Sequence, residues 1–351
     1  MSLIVLLPGT PLAKQIKADG QTITLPTLAQ GDCLFKLGEL VNNLNTTQAI
    51  SAKLETPIFT YSFSNRKNPY LLIKAGISLR KLIKAKAANG VYVFWGGPSA
   101  WIATIFSPVP VVVALLGSDL QGSYNHLGQK TMFGKMLAYF SHLAANKAAA
   151  VVVMSQKMKG LLSTTNQQKT FVLPEGVDLE KFKPLDKIAC RILLGWPSDL
   201  LTVIFFDSGA FVKNAPLAKA AFKCVQQKIP QATLICIKGI PHQELITYYN
   251  AADLLLVTSY HEGSNNSIKE ALACNCPIVA TDAGDAAERL KEVEQSYCVP
   301  GMDAEKLAEK MIRILEKPTK TNGRVIVQKV SVNLVAIELA NLLSLITKND
   351  Y

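Results

Sequence analysis

The sequence predicts an α/β protein built from two doubly wound parallel-sheet domains that face a central cleft. Three observations carry this reading. Short apolar runs of β type alternate with helical segments along the 351 residues, and such alternation builds parallel sheets covered by helices. The alternation comes in two sets, divided by a stretch at 167–186 that holds Pro174 and Pro184. The length accommodates two domains of ordinary size, and an apolar share of 49% belongs to a globular chain.

In the first set, strands are expected at Leu3–Leu7, Pro57–Phe63, Val91–Phe94, Val111–Leu115 and Ala149–Met154. Helices are expected near Gln30–Asn42, Leu71–Ala88, Ser99–Phe106, Thr131–Lys147 and Gln156–Leu162. In the second set the strands are Val203–Phe206, Thr233–Ile237, Leu254–Thr258 and Ile278–Thr281. Its helices are Leu217–Lys228, His242–Ala251, Ser264–Cys274, Ala286–Leu290 and Ala304–Leu315. The expected division is a basic first domain at 1–168, a second domain at 169–329, and a last segment at 330–351 whose helix crosses back to the first domain. Ligands of doubly wound sheets sit beyond the carboxyl ends of the strands, so the cleft between the domains is the expected site.

Residues 1–7 read as a buried strand rather than a secretory leader, since no basic start or cleavage region accompanies them. The uncharged stretch 87–118 is cut by Gly96, Gly97, Pro98, Pro108 and Pro110 into pieces too short to span a membrane. The seven cysteines are odd in number and form no Cys-x-x-Cys or Cys/His grouping. That pattern points to reduced thiols in a cytoplasm, with neither a disulfide framework nor a zinc site.

Charge is unevenly spread. The net charge is +11, and residues 1–170 hold 17 Lys+Arg against 5 Asp+Glu. A basic body of this kind attracts an anionic surface or ligand. Nucleic acid is not the expected partner, because no zinc finger, RNA-recognition motif or aromatic–basic interleaving is present. The segment from Arg66 to Lys86 combines seven basic residues with Leu71, Leu72, Ala75, Ile77, Leu79, Leu82 and Ile83 at helical spacing. It is either a solvated helix face or an amphipathic helix that lies on acidic lipid at the inner face of the cell membrane.

The strongest chemical signal runs from His261 to Asp285. Glu262 and Glu270 stand eight positions apart, around the small polar turn Gly263-Ser264-Asn265-Asn266. An apolar strand precedes the turn, and Pro277 with a second apolar strand follows the helix. The chain thus leaves a strand, turns tightly and starts a short helix at the cleft. The unpaired N–H groups and positive dipole end of that helix suit a phosphate. Ionised glutamates only accept hydrogen bonds, so they suit hydroxyl groups. Phosphate plus hydroxyls describes a sugar nucleotide. The plain alternative is a capping Glu262 and an exposed Glu270. Lys213 beside Asn214 is either an anion contact or an ordinary turn, His261 reads as a packing histidine, and Thr281, Asp282 and Asp285 border the site or belong to a loop. Asp119, the only carboxylate between Thr56 and Pro174, is an ion-pair anchor or a site residue facing the cleft.

Four stretches resemble the GT-B fold retaining glycosyltransferases of family 4. They are Leu116-Gly117-Ser118-Asp119-Leu120, Gly176-Val177-Asp178 with Phe182, Val212-Lys213-Asn214, and Glu262 through Glu270. The resemblance implies two Rossmann-like domains and a metal-independent transfer of a hexosyl group from a UDP- or GDP-sugar. The implied acceptor is a glycan or lipid-linked molecule, in cell-surface polysaccharide or glycolipid synthesis. Glu262 and Asp119 are then the expected catalytic residues. Lys213, Gly263, Ser264, Asn265 and Asn266 are expected to hold the donor diphosphate, and Glu270 the ribose. Three positions depart from the family pattern: Leu116 replaces a polar residue, no arginine lies in 207–212, and Pro8-Gly9-Thr10-Pro11 is poor in glycine. These departures leave a second expectation, a catalytically weakened relative that binds sugar nucleotide or glycan as a partner subunit.

Overall fold

The computed structural model describes residues 3–7, 16–18, 21–23, 58–62 and 69–348. The expected helix at Gln30–Asn42, the Pro8–Pro11 loop and Cys33 lie outside the described residues.

Two parallel sheets form. The first has the order β4-β1-β5-β6-β7-β8, with β1 Leu3–Leu7, β4 Ile58–Ser62, β5 Gly90–Phe94, β6 Val111–Leu115, β7 Ala150–Val153 and β8 Thr170–Val172. A two-stranded hairpin, β2 Ile16–Ala18 and β3 Gln21–Ile23, stands apart from it. The second sheet has the order β10-β9-β11-β12-β13, with β9 Thr202–Phe206, β10 Thr233–Ile237, β11 Leu254–Val257, β12 Ile278–Thr281 and β13 Tyr297–Val299. Strands β5, β6, β7, β11 and β12 are buried along their whole length. Burial on both faces is why they read as unbroken apolar runs rather than alternating ones.

Helices α1 Pro69–Ala85, α2 Pro98–Phe106, α3 Ser118–Gln121, α4 Met132–Lys147, α5 Gln156–Lys159 and α6 Thr164–Gln168 belong to the first half. Helices α7 Lys187–Leu194, α8 Ala215–Lys228, α9 Leu245–Ala251, α10 Asn266–Ala273, α11 Ala286–Leu290, α12 Ala304–Leu315, α13 Gly323–Val327 and α14 Val332–Lys348 follow. Caps explain several boundaries. The Thr131 hydroxyl accepts from Gly134 N–H at the start of α4, and the Asp186 carboxylate accepts from Ala189 N–H at the start of α7. Helix α7 thus begins where the dividing stretch at 167–186 ends. Strands β8 and β13 were not anticipated, because three residues are too few to show a period.

The chain crosses between the halves twice, and the crossings run together. Val177 N–H donates to Val330 C=O, and Val332 N–H donates to Val177 C=O. The Arg324 guanidinium donates to the carbonyls of Leu179, Phe182 and Ala273, tying the first crossing to the end of α10. Val335, Ala336, Leu339, Leu342 and Leu343 of α14 join the apolar cluster that contains the core of the first sheet. The six described cysteines are free thiols, and Cys274 and Cys276 are buried at the end of α10. Among the described residues no helix is long and apolar enough to cross a membrane.

Candidate functional site

In the second sheet the strand order reverses between β9 and β11, the place where doubly wound sheets open a crevice at their carboxyl ends. A small pocket lies there. Phe205 and Phe206 at the end of β9, Thr258 and Ser259 after β11, and Asn265 and Ser267 at the start of α10 line it, together with Lys213.

Lys213 ends a single 3-10 turn at Phe211–Lys213, and Asn214 behind it has φ 52°. That left-handed residue turns the chain into α8 and directs the lysine back over β11. The Thr258 hydroxyl donates to the Lys213 and Asn214 carbonyls and pins the turn. Glu262 Oε1 then accepts from Lys213 Nζ at 2.7 Å, Ser259 Oγ at 2.8 Å and Asn265 Nδ2 at 3.2 Å. The lysine and glutamate side chains keep 15% and 18% of their surface exposed, so the pair stands at the cleft rather than in the core.

The turn is built for close approach. A β-carbon at Gly263 would stand 2.0 Å from the Leu116 carbonyl oxygen, so only glycine fits where the two halves meet. Ser264 Oγ donates to Asp285 at 2.8 Å, which also receives Arg289. Asn265 caps α10 by accepting from Ser267 N–H, which moves the helix start to Asn266 from the expected Ser264. Asn266 Nδ2 donates to Glu175 Oε2 at 3.1 Å. Helix α10 is therefore tied to the first crossing directly at its beginning and through Arg324 at its end. Lys269, unremarked in the sequence, is buried on this helix and donates to the Glu175 carbonyl at 2.7 Å.

Glu270, the expected ribose contact, is not the exposed helix residue of the plain alternative: its side chain is 5% exposed and both oxygens have protein partners. One expectation changes. Asp119 is wholly buried, and its carboxylate accepts from the N–H groups of Gly96, Leu116, Gly117 and Leu120 at 2.8–3.0 Å. Burial raises its pKa, and those four amides pull against the rise. This is a loop-shaping arrangement and not the cleft-facing contact expected; it holds the Leu116–Gly117 backbone against Gly263.

Around the cleft mouth the halves touch through side chains. The Tyr124 and His261 rings lie 4.7 Å apart, Gln121 Nε2 donates to the Glu262 carbonyl, and Lys157 pairs with Asp282 at 2.6 Å. Burial pushes the His261 imidazole down, toward its neutral form. Among the described residues no group of three His, Cys, Asp or Glu is placed to hold a metal ion.

The model of the family described as glycosyl transferases group 1 matches residues 215–317, the stretch holding Glu262 to Glu270. A solved sucrose-phosphate synthase from Thermosynechococcus elongatus superimposes with a TM-score of 0.71, at 18% identity, over 98% of this chain and 99% of that one. The chain has the GT-B glycosyltransferase fold. A second GT-B structure, Anabaena Alr3699/HepE in complex with UDP and glucose, has a TM-score of 0.64 at 17% identity and covers 98% of this chain and 99% of its own. Among curated sequences, TuaC of Bacillus subtilis strain 168, a glycosyltransferase assigned to teichuronic acid biosynthesis, is 26% identical over 235 residues. A D-inositol 3-phosphate glycosyltransferase of Saccharomonospora viridis is 24% identical over 177 residues. The matches cover 62% and 41% of this chain, and 58% and 41% of those relatives' length.

Proposed function

We propose that the protein is a retaining glycosyltransferase that moves a hexosyl group from a nucleoside-diphosphate sugar to a glycan or lipid-linked acceptor, without a metal ion. The observation that carries this reading is the Lys213–Glu262 pair at the mouth of the β9/β11 pocket. The two charges neutralise each other across 2.7 Å. A bound donor separates their tasks: Lys213 and the start of α10 face the diphosphate, and Glu262 faces the sugar hydroxyls and the anomeric carbon. In transfer, the bond from the anomeric carbon to the phosphate oxygen breaks, and the diphosphate leaves with the electron pair. The acceptor oxygen bonds to the same face, and its proton passes to the departing phosphate oxygen. Fixed positive groups at the leaving oxygens lower that barrier because negative charge develops there.

The test is a panel of UDP- and GDP-sugars with EDTA present. One of them is expected to raise the melting temperature and to be slowly hydrolysed to free sugar. At about 100 times its dissociation constant a ligand stabilises by about 2.7 kcal/mol. Binding without any cleavage assigns the chain to the weakened, partner-subunit class. No binding to any member sinks both.

The same proposal places the basic half on an anionic membrane. Between residues 70 and 170 the only carboxylate is the buried Asp119. Ile73 and Ile77 of α1 and Met132, Phe133, Met136 and Tyr139 of α4 are exposed apolar groups. Lys74, Arg80, Lys81, Lys84 and Lys135 are exposed on the same two helices. The expected result is sedimentation with phosphatidylserine vesicles that weakens as salt rises. Replacing Lys81 and Lys84 by alanine is expected to lower vesicle affinity about thirtyfold, at about 1 kcal/mol for each lysine. Equal binding to neutral vesicles would remove this part of the proposal.

A further inference from the structure

Glu270 is held from behind by residues drawn from three other segments. Its Oε1 lies 2.7 Å from His242 Nε2, and its Oε2 accepts from the Tyr249 hydroxyl at 2.8 Å. On the far side of the imidazole, Nδ1 lies 2.8 Å from Lys181 Nζ. A lysine ammonium only donates, so Nδ1 is the acceptor and the ring proton sits on Nε2, directed at the carboxylate. Phe182 packs edge-on against both rings, at 5.3 Å from His242 and 6.1 Å from Tyr249. Burial raises the Tyr249 pKa well above its ordinary value, which keeps the phenol protonated and donating.

This assembly backs onto the pocket. The Phe206 ring, part of the pocket wall, lies 5.3 Å from the Tyr249 ring. Ser267, also in the wall, stands one turn before Glu270 on α10. An ionised carboxylate offers about four acceptor positions. His242 and Tyr249 take one on each oxygen, which leaves one on each oxygen for a pair of neighbouring hydroxyls.

We infer that His242 is a positioning residue for nucleotide ribose recognition. It fixes the rotamer of Glu270 so that the two remaining acceptor positions meet the 2′ and 3′ hydroxyls, and Lys181 fixes the tautomer that makes His242 a donor. Lys181 and Phe182 belong to the first crossing between the halves, so ribose recognition is tied to the conformation of that crossing. The inference rests on the donor reading above.

The experiment is calorimetric titration of UDP and GDP, and of their 2′,3′-dideoxy counterparts, into the wild type, His242→Ala, His242→Gln and Glu270→Gln. The wild type is expected to prefer one ribonucleotide over its dideoxy form by about tenfold or more, as hydrogen bonds to a charged group allow. His242→Ala is expected to lose most of that preference and to bind the dideoxy nucleotide as tightly as the wild type does. Glutamine keeps a side-chain N–H donor, so His242→Gln is expected to recover part of the preference. Equal losses for both nucleotides, or an unchanged preference in His242→Ala, overturn the positioning role while leaving the donor reading standing. Failure of the wild type to bind any of the four overturns the donor reading and this inference with it.

Discussion

Replacing Glu262 by glutamine is expected to lower sugar transfer by about 10²–10³-fold, the range found when one charge-stabilising group is removed from a preorganised site. The carboxylate concentrates three donors on a single oxygen, those of Lys213, Ser259 and Asn265. An amide at this position cannot hold the lysine as an ion pair, and it presents no charge to the anomeric carbon. Folding should be little affected, because glutamine keeps a side-chain oxygen that can accept from Ser259 and Asn265. The check is steady-state transfer together with a melting curve: kcat should fall with the melting temperature held. Transfer at the wild-type rate would remove Glu262 from the reaction, and a large fall in melting temperature would recast it as a structural cap.

Much of this molecule is legible in its sequence, for identifiable reasons. Val111–Leu115 and Ile278–Thr281 read as buried strands because parallel strands covered on both faces need apolar residues at every position. Glu262 and its turn are legible because residues 262–266 are contiguous. Partnerships over long separations are not. Nothing local in His242 indicates that it meets Glu270, 28 positions on, or Lys181, 61 positions back. Asp119 shows the same limit from the other side. Its isolation in a basic half marks it as important, yet its work depends on amides from Gly96, Leu116, Gly117 and Leu120 converging after two strands have paired. The signal in the sequence was rarity, and rarity does not separate a group that meets substrate from one that builds the loop beside it.

Gly263→Ala is expected to be as damaging as loss of the carboxylate next to it, and by a different route. The added methyl group would stand 2.0 Å from the Leu116 carbonyl oxygen and 3.3 Å from the Met154 β-carbon. Neither neighbour yields easily. Leu116 N–H is anchored on Asp119, Gly117 is anchored there too, and Asp119 is itself buried. The strain is therefore relieved by opening the cleft, which separates the Leu116–Gly117 loop from the Glu262 turn by about 1 Å or more. Displacement on that scale costs about 10²-fold in a reaction that depends on alignment. Glu262 keeps its local partners Lys213, Ser259 and Asn265, all on the same side of the cleft. Nucleotide affinity should consequently change little while kcat falls, whereas the expected effect of His242→Ala is a loss of ribonucleotide binding. Measuring UDP or GDP binding beside kcat in the two variants distinguishes a lost closure from a lost ligand contact. If Gly263→Ala retains full kcat, the close approach of the two loops plays no part in transfer.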